Sequence, residues 1–175
     1  HRMAAILGRL RPAVAKTFTT AGPGYLAFIP GGGIAAAALA DFVACSVNRF
    51  VGVAAASPAL AQIEATVIQW LASLMGYPAT AGGILTSGGS LSNLTAVVAA
   101  RTAKLPEDFL SGTLYFSEET HFSVVKAARI AGFSERNLRR IPVDERFRMI
   151  PERLEEAVRE DRARRLRPFL VVANV

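Results

Sequence analysis

The chain has 175 residues, of which 51% are hydrophobic and 19% charged. That is enough for one domain with a real core, too few for two ordinary ones, and too apolar for a disordered or low-complexity protein. The net charge of +6 admits an anionic ligand, but bases alternate with acids in Arg153-Leu154-Glu155-Glu156 and Arg159-Glu160-Asp161-Arg162. No clean positive stripe forms, and nucleic acid is not an expected partner.

The charges are unevenly spread. Residues 1–100 hold five bases (Arg2, Arg9, Arg11, Lys16, Arg49) and two acids (Asp41, Glu64), while residues 101–175 hold fifteen bases and twelve acids. A surface so poor in charge is expected to be covered, by further chain or by a partner subunit.

In chain order, residues 4–16 are expected to be helical around Pro12, and residues 17–33 form a loop punctuated by Gly22-Pro23-Gly24 and Gly31-Gly32-Gly33. Ile34 to about Phe50 is Ala-rich and predicts a buried helix. The next helix has explicit limits, with Ser57 as N-cap, Pro58 at the first position and Gly76 just past the end. Within it Leu60, Ile63, Val67, Leu71 and Leu74 recur at helical spacing.

After Tyr77-Pro78 short apolar runs alternate with helices. Gly83–Thr86, Thr113–Phe116, Leu138–Val143 and Phe169–Ala173 are the expected strands. Between them fall helices over Ser90 to Ala103, His121 to Ala131, and onward from Ile150-Pro151. This alternation predicts an α/β domain with a mainly parallel sheet covered on both faces. The expected division is residues 1–78, helical and loop, and residues 79–175, the first part of the α/β domain.

Cys45 is the single cysteine, so no intramolecular disulfide is possible, which fits a cytoplasmic setting. His1 and His121 are too few and too far apart to suggest a metal site. Residues 65–100 lack charge, but Gly76, Pro78, Gly82, Gly83, Gly88 and Gly89 interrupt them, and no membrane span or signal peptide is expected. The chain opens on His1 and closes in the run Phe169–Ala173 with Asn174 and Val175 after it, the pattern of a fragment.

Chemistry concentrates in two places. Thr86-Ser87-Gly88-Gly89-Ser90 joins an expected strand to a helix. Glycines there let an anion approach the backbone, free N–H groups and the helix dipole attract it, and the Ser90 hydroxyl adds a donor. The segment is neither a GxxxxGK[ST] nor a GxGxxG loop, so ATP and NAD are poorly supported. The plain alternative is a tight turn with a serine N-cap.

His121 follows a different strand, so it is expected on the same carboxyl edge, where ligands of parallel sheets bind. The plain alternative is an ordinary residue at a helix start. Lys126 invites a cofactor-bearing role, but inside a helix it reads better as a surface lysine. Tyr25–Gly33 is either a core loop or a flap over a pocket.

The order of short motifs is specific. Pro23-Gly24-Tyr25-Leu26-Ala27-Phe28-Ile29-Pro30, Ala38-Leu39-Ala40-Asp41, Ser57-Pro58-Ala59, Trp70-Leu71 and Gly76-Tyr77-Pro78 come first. Thr86–Ser90, Ala99-Ala100-Arg101, Thr120-His121-Phe122-Ser123, Lys126-Ala127-Ala128-Arg129 and Val171-Val172-Ala173-Asn174 follow. Together they resemble the group II pyridoxal-phosphate-dependent decarboxylases, which include the aromatic-amino-acid, histidine and glutamate decarboxylases.

The resemblance implies an aminotransferase-like, type I fold, working as a homodimer with pyridoxal 5'-phosphate as cofactor and an L-amino acid as substrate. It assigns Gly89 and Ser90 to the cofactor phosphate, and His121 to the cofactor ring and the catalytic position beside the substrate carboxylate. It places Phe28 and Gly31 on the substrate side. Aromatic-amino-acid members carry tyrosine and threonine at these two positions, which leaves the amino acid open. The cofactor-bearing lysine and the ring-nitrogen carboxylate belong to a later part of the family's chain, so these 175 residues alone are expected to be inactive. Two other functions stay open: another lyase of the same fold, like sphingosine-phosphate lyase, and a non-catalytic module that binds a phosphate ligand or a protein.

Overall fold

The computed structural model describes residues 2–27 and 32–174. By packing the chain divides into two units, His1–Ala65 and Thr66–Val175. The first contains helices α1 (Arg2–Val14) and α2 (Ala35–Val47) and the start of α3 (Pro58–Leu74). Pro12 lies within α1, near its C-terminal end. The left-handed Asn48 closes α2, its N–H donating to the Ala44 carbonyl.

The limits of α3 follow its sequence signals. Pro58 occupies the first turn, where a missing N–H costs nothing. At the other end Gly76 takes φ +75°, Tyr77 N–H donates to the Ala72 carbonyl at 2.9 Å, and Gly76 N–H donates to that of Ser73 at 3.1 Å. This is the Schellman arrangement that glycine favours.

The second unit continues with α4 (Gly89–Lys104), β1 (Gly112–Ser117), α5 (Ser123–Ile130), β2 (Leu138–Ile141), α6 (Pro151–Ala163) and β3 (Arg167–Val172). Its sheet has the order β2-β1-β3, both pairs parallel. The central β1 is buried along its whole length. Its alternate residues face different partners. Leu114 and Phe116 meet Val97 of α4, Val124, Ala127 and Ala128 of α5, and Phe133 in the hydrophobic core. On the opposite face Thr113 and Tyr115 meet Asp161 of α6.

That opposite face is polar but fully paired. The Thr113 hydroxyl and the Tyr115 hydroxyl lie 2.9 Å apart, Tyr115 donates to Asp161 Oδ2 at 2.7 Å, and Arg139 Nη2 reaches Asp161 Oδ1 at 2.6 Å. Burial alone would push the Asp161 carboxyl up. Hydrogen bonds from Arg139 and Tyr115, with the guanidinium charge, outweigh it and hold Asp161 below the usual carboxylate range. Burial, and then the hydrogen bond it gives Asp161, pushes the Tyr115 phenol well above its ordinary value.

Several boundaries differ from expectation, and α2, expected as a buried helix to about Phe50, ends at Val47 and has no buried residue. Gly83–Thr86 forms no ladder with any described strand, because a strand requires a neighbour and none lies beside it. The helix expected from His121 begins at Ser123, with Phe122 as N-cap, which leaves His121 ahead of the first turn. The third expected strand stops at Ile141, since Pro142 has no N–H to continue a ladder. No described helix is long and apolar enough to cross a membrane.

Candidate active site

The strand order sets where a ligand can sit. From β1 the chain crosses through α5 to β2 on one side, then through α6 to β3 on the other. Such a reversal opens a crevice at the carboxyl ends of the strands that diverge, here β1 and β3. Ser117 ends β1 there and Thr120 follows it, their hydroxyls 3.1 Å apart, and Thr120 donates to Asn174 Oδ1 beyond β3 at 3.3 Å.

The first turn of α4 faces solvent. Its N-cap is Gly88, with no side-chain capping bond, so Ser90 is a first-turn residue rather than the cap. Leu91 and Ser92 N–H both donate to the Gly88 carbonyl, at 3.0 and 3.1 Å. The N–H groups of Gly89 and Ser90, and the Ser90 hydroxyl, have no acceptor among the described residues. A Cβ built on Gly88 or Gly89 would meet nothing within 4 Å, so the space before this turn is open. The Thr86 and Ser92 hydroxyls, 2.5 Å apart, brace the loop from behind. Two free amides, a hydroxyl and a positive helix end fit a phosphate group.

His121 joins that turn through an intermediary. Its Nδ1 lies 2.7 Å from the Ser123 hydroxyl and accepts the Ser123 N–H at 3.3 Å. Asn93, four residues into α4, donates through Nδ2 to the same hydroxyl at 2.8 Å. The helix carrying Gly89 and Ser90 and the residue His121 are thereby held at one edge of the sheet. His121 is exposed, and its ring lies 4.3 Å from that of Phe122 at 42°.

The remaining sequence candidates fall elsewhere. Lys126 is exposed on α5, in a cleft with Thr120, Phe122, Val125, Arg129, Ile130 and Arg140. Phe28 and Gly31 lie outside the described residues. Asn93, Ser123 and Thr120 were not individually singled out by their sequence context. The available signal was Asn93 itself, a poor helix former inside a helix, and a hydroxyl two residues beyond a histidine.

Solved structures share this fold. A structure described as Oryza sativa TDC with PLP and tryptamine aligns with a TM-score of 0.87 at 31% identity, over 97% of this chain and 38% of that one. Catharanthus roseus tryptophan decarboxylase in complex with L-tryptophan aligns at 0.85 and 26% identity, over 97% of this chain and 39% of that one. The fold is thus an α/β, aminotransferase-like fragment.

Sequence comparison narrows the class. The model of the pyridoxal-dependent decarboxylase conserved domain matches residues 1–175, and the chain belongs to that family. It is 42% identical to an aromatic-L-amino-acid decarboxylase of Bacillus atrophaeus, over 87% of this chain and 32% of the relative. It is 34% identical to the histidine decarboxylase of Homo sapiens, over 78% of this chain and 23% of the relative. The chain spans about a third or less of the length of these curated relatives. None of this favours the sphingosine-phosphate-lyase-like or non-catalytic alternatives.

Proposed function

We propose that the protein containing this chain is a pyridoxal-phosphate-dependent carboxy-lyase that removes the α-carboxylate of an L-amino acid. The observation that carries this is the pair of acceptor-free amides at Gly89 and Ser90, held on the same sheet edge as His121. Bound pyridoxal phosphate supplies an electron sink for the carbanion left when carbon dioxide departs.

The residues of this chain bind and orient. Gly89 N–H, Ser90 N–H and the Ser90 hydroxyl take the phosphate, with the α4 dipole adding positive potential. His121 offers its ring to the flat cofactor and its free edge to the substrate carboxylate. Phe28 and Gly31 line the substrate side. The relatives' names make aromatic L-amino acids and histidine the first substrates to test.

Residues 1–78 contribute dimer and substrate-side elements in this proposal, and residues 79–175 the first part of the cofactor domain. A homodimer would cover Leu39, Phe42 and Val43 of α2 and Ile63, Trp70 and Leu74 of α3, all of which are exposed. The lone Cys45 and the family's chemistry support a cytoplasmic enzyme. The family resemblance implies a cofactor-bearing lysine outside these 175 residues, which in this proposal are inactive alone.

Titrating full-length variants with pyridoxal phosphate and following its absorption tests this. Ser90→Ala should weaken binding by about 1–3 kcal/mol, the scale of a hydrogen bond to a charged group. His121→Ala should spare most of the binding and lower turnover. Unchanged affinity in the first together with unchanged turnover in the second would leave both residues purely structural.

A further inference from the structure

The contact between α4 and His121 carries more than position. Ser123 N–H is one of the amides that α5, like any helix, leaves without an intrahelical acceptor at its start. It donates to Nδ1 of His121, and a backbone amide can play no other part. At 3.3 Å this bond is long, so by itself it only biases Nδ1 toward accepting. The second contact agrees. An amide Nδ2 only donates, so the Ser123 hydroxyl oxygen receives from Asn93 and turns its own proton to Nδ1. The opposite proton placement, on Nδ1, would set two N–H groups against each other. It would also leave the hydroxyl proton of the buried Ser123 without this acceptor.

We propose that Asn93 and Ser123 are positioning residues that hold neutral His121 as the Nε2–H tautomer. Its single ring proton then sits on Nε2, as a donor to the substrate carboxylate. The carboxylate as recipient rests on the decarboxylase proposal; the tautomer rests on the hydrogen bonds alone. Nε2 has no partner among the described residues, so the donor is free to meet a ligand. The chain of donors runs in one direction, from Asn93 to Ser123 to His121. Each member fixes the proton of the next, which is how a histidine is committed to one chemical role.

The test reads the proton itself. Full-length protein carrying 15N-histidine is examined by long-range 1H–15N correlation at about pH 8.5, above the ordinary range of histidine titration. The His121 signals are identified by their loss in His121→Asn. The wild type should show the proton on Nε2. In Asn93→Asp the carboxylate accepts the Ser123 hydroxyl proton, the hydroxyl oxygen turns to Nδ1, and the population should shift toward Nδ1–H. Ser123→Ala should leave mixed tautomers, and Ser123→Thr, which keeps the hydroxyl, should restore the wild-type pattern.

Turnover of an L-amino acid should fall about tenfold to a hundredfold in Asn93→Asp, the usual cost of losing a histidine's orienting partner. KM should stay within about twofold, and so should cofactor affinity in Ser123→Ala, which adds no charge. A wild-type proton on Nδ1 would overturn the proposal, as would an unaltered tautomer in both Asn93→Asp and Ser123→Ala. A locked Nε2–H tautomer in a protein that turns over no amino acid would sink the decarboxylase proposal and uphold the lock.

Discussion

The stretch before Val97 and the stretch from Val97 onward invert the usual relation between composition and burial. The first is nearly free of charge, yet none of its described residues is buried; Phe42 is 70% exposed and Leu74 is 83% exposed. The second carries most of the charge and all of the described core. Apolar content alone therefore does not locate a core. A core forms where apolar residues find one another at the right period, as Leu114 and Phe116 find Val97, Val124 and Ala128. Where they do not, the apolar surface is a claim on another surface.

The largest effects should come from the core side of this contrast. Phe116→Ala removes a ring that is 2% exposed and should cost about 3–5 kcal/mol of stability. Asp161→Ala, which strands Arg139 and the Tyr115 hydroxyl, should cost about the same. Chemical denaturation of the full-length protein measures both. Losses below about 1 kcal/mol would mean that this sheet does not hold the fold together. On the apolar side Phe42→Asp should leave the fold nearly intact and dissociate the proposed homodimer, read by sedimentation. A variant that stays dimeric would show that α2 is covered by something else.

A smaller effect follows pH. The Asp161 value is lowered on folding, so its contribution is present above about pH 4 and lost as pH falls through that lowered value. Tyr115 is shifted the other way, so its contribution holds below about pH 10 and declines as pH rises further. Tyr115→Phe should abolish the alkaline decline, which a pH series of unfolding midpoints would reveal. The smallest effect belongs to the exposed pair Arg153–Glu156, where Arg153→Ala should change stability by less than about 0.5 kcal/mol.

Local signals carried much of this architecture. Pro58 and Gly76 mark the limits of α3 because each fits a position that other residues fill poorly. The apolar run Thr113–Phe116 was recognisable as a strand, and Gly88-Gly89-Ser90 as a helix start. Gly83–Thr86 looks identical in kind to Thr113–Phe116, yet among the described residues one lacks a strand neighbour and the other has two. Pairing is a property of the assembled sheet, invisible in a run of residues. For the same reason the contact of Asn93 with Ser123 was not legible: thirty residues separate them, and only the packing of α4 on α5 brings them together.

That packing has a mechanical side. Asn93 reaches Ser123 near the beginnings of α4 and α5, and Arg101 Nη1 donates to the Ala131 carbonyl near their ends. Both contacts join a residue to one thirty positions later, so the helices lie side by side like the rails of a ladder with two rungs. Sliding one rail by a single residue, a rise of about 1.5 Å, would break both rungs together. At the far end Arg101 also sits over the Phe109 ring, which steadies the second rung. The spacing between the anion-ready turn and the histidine is set by a frame extending the length of two helices.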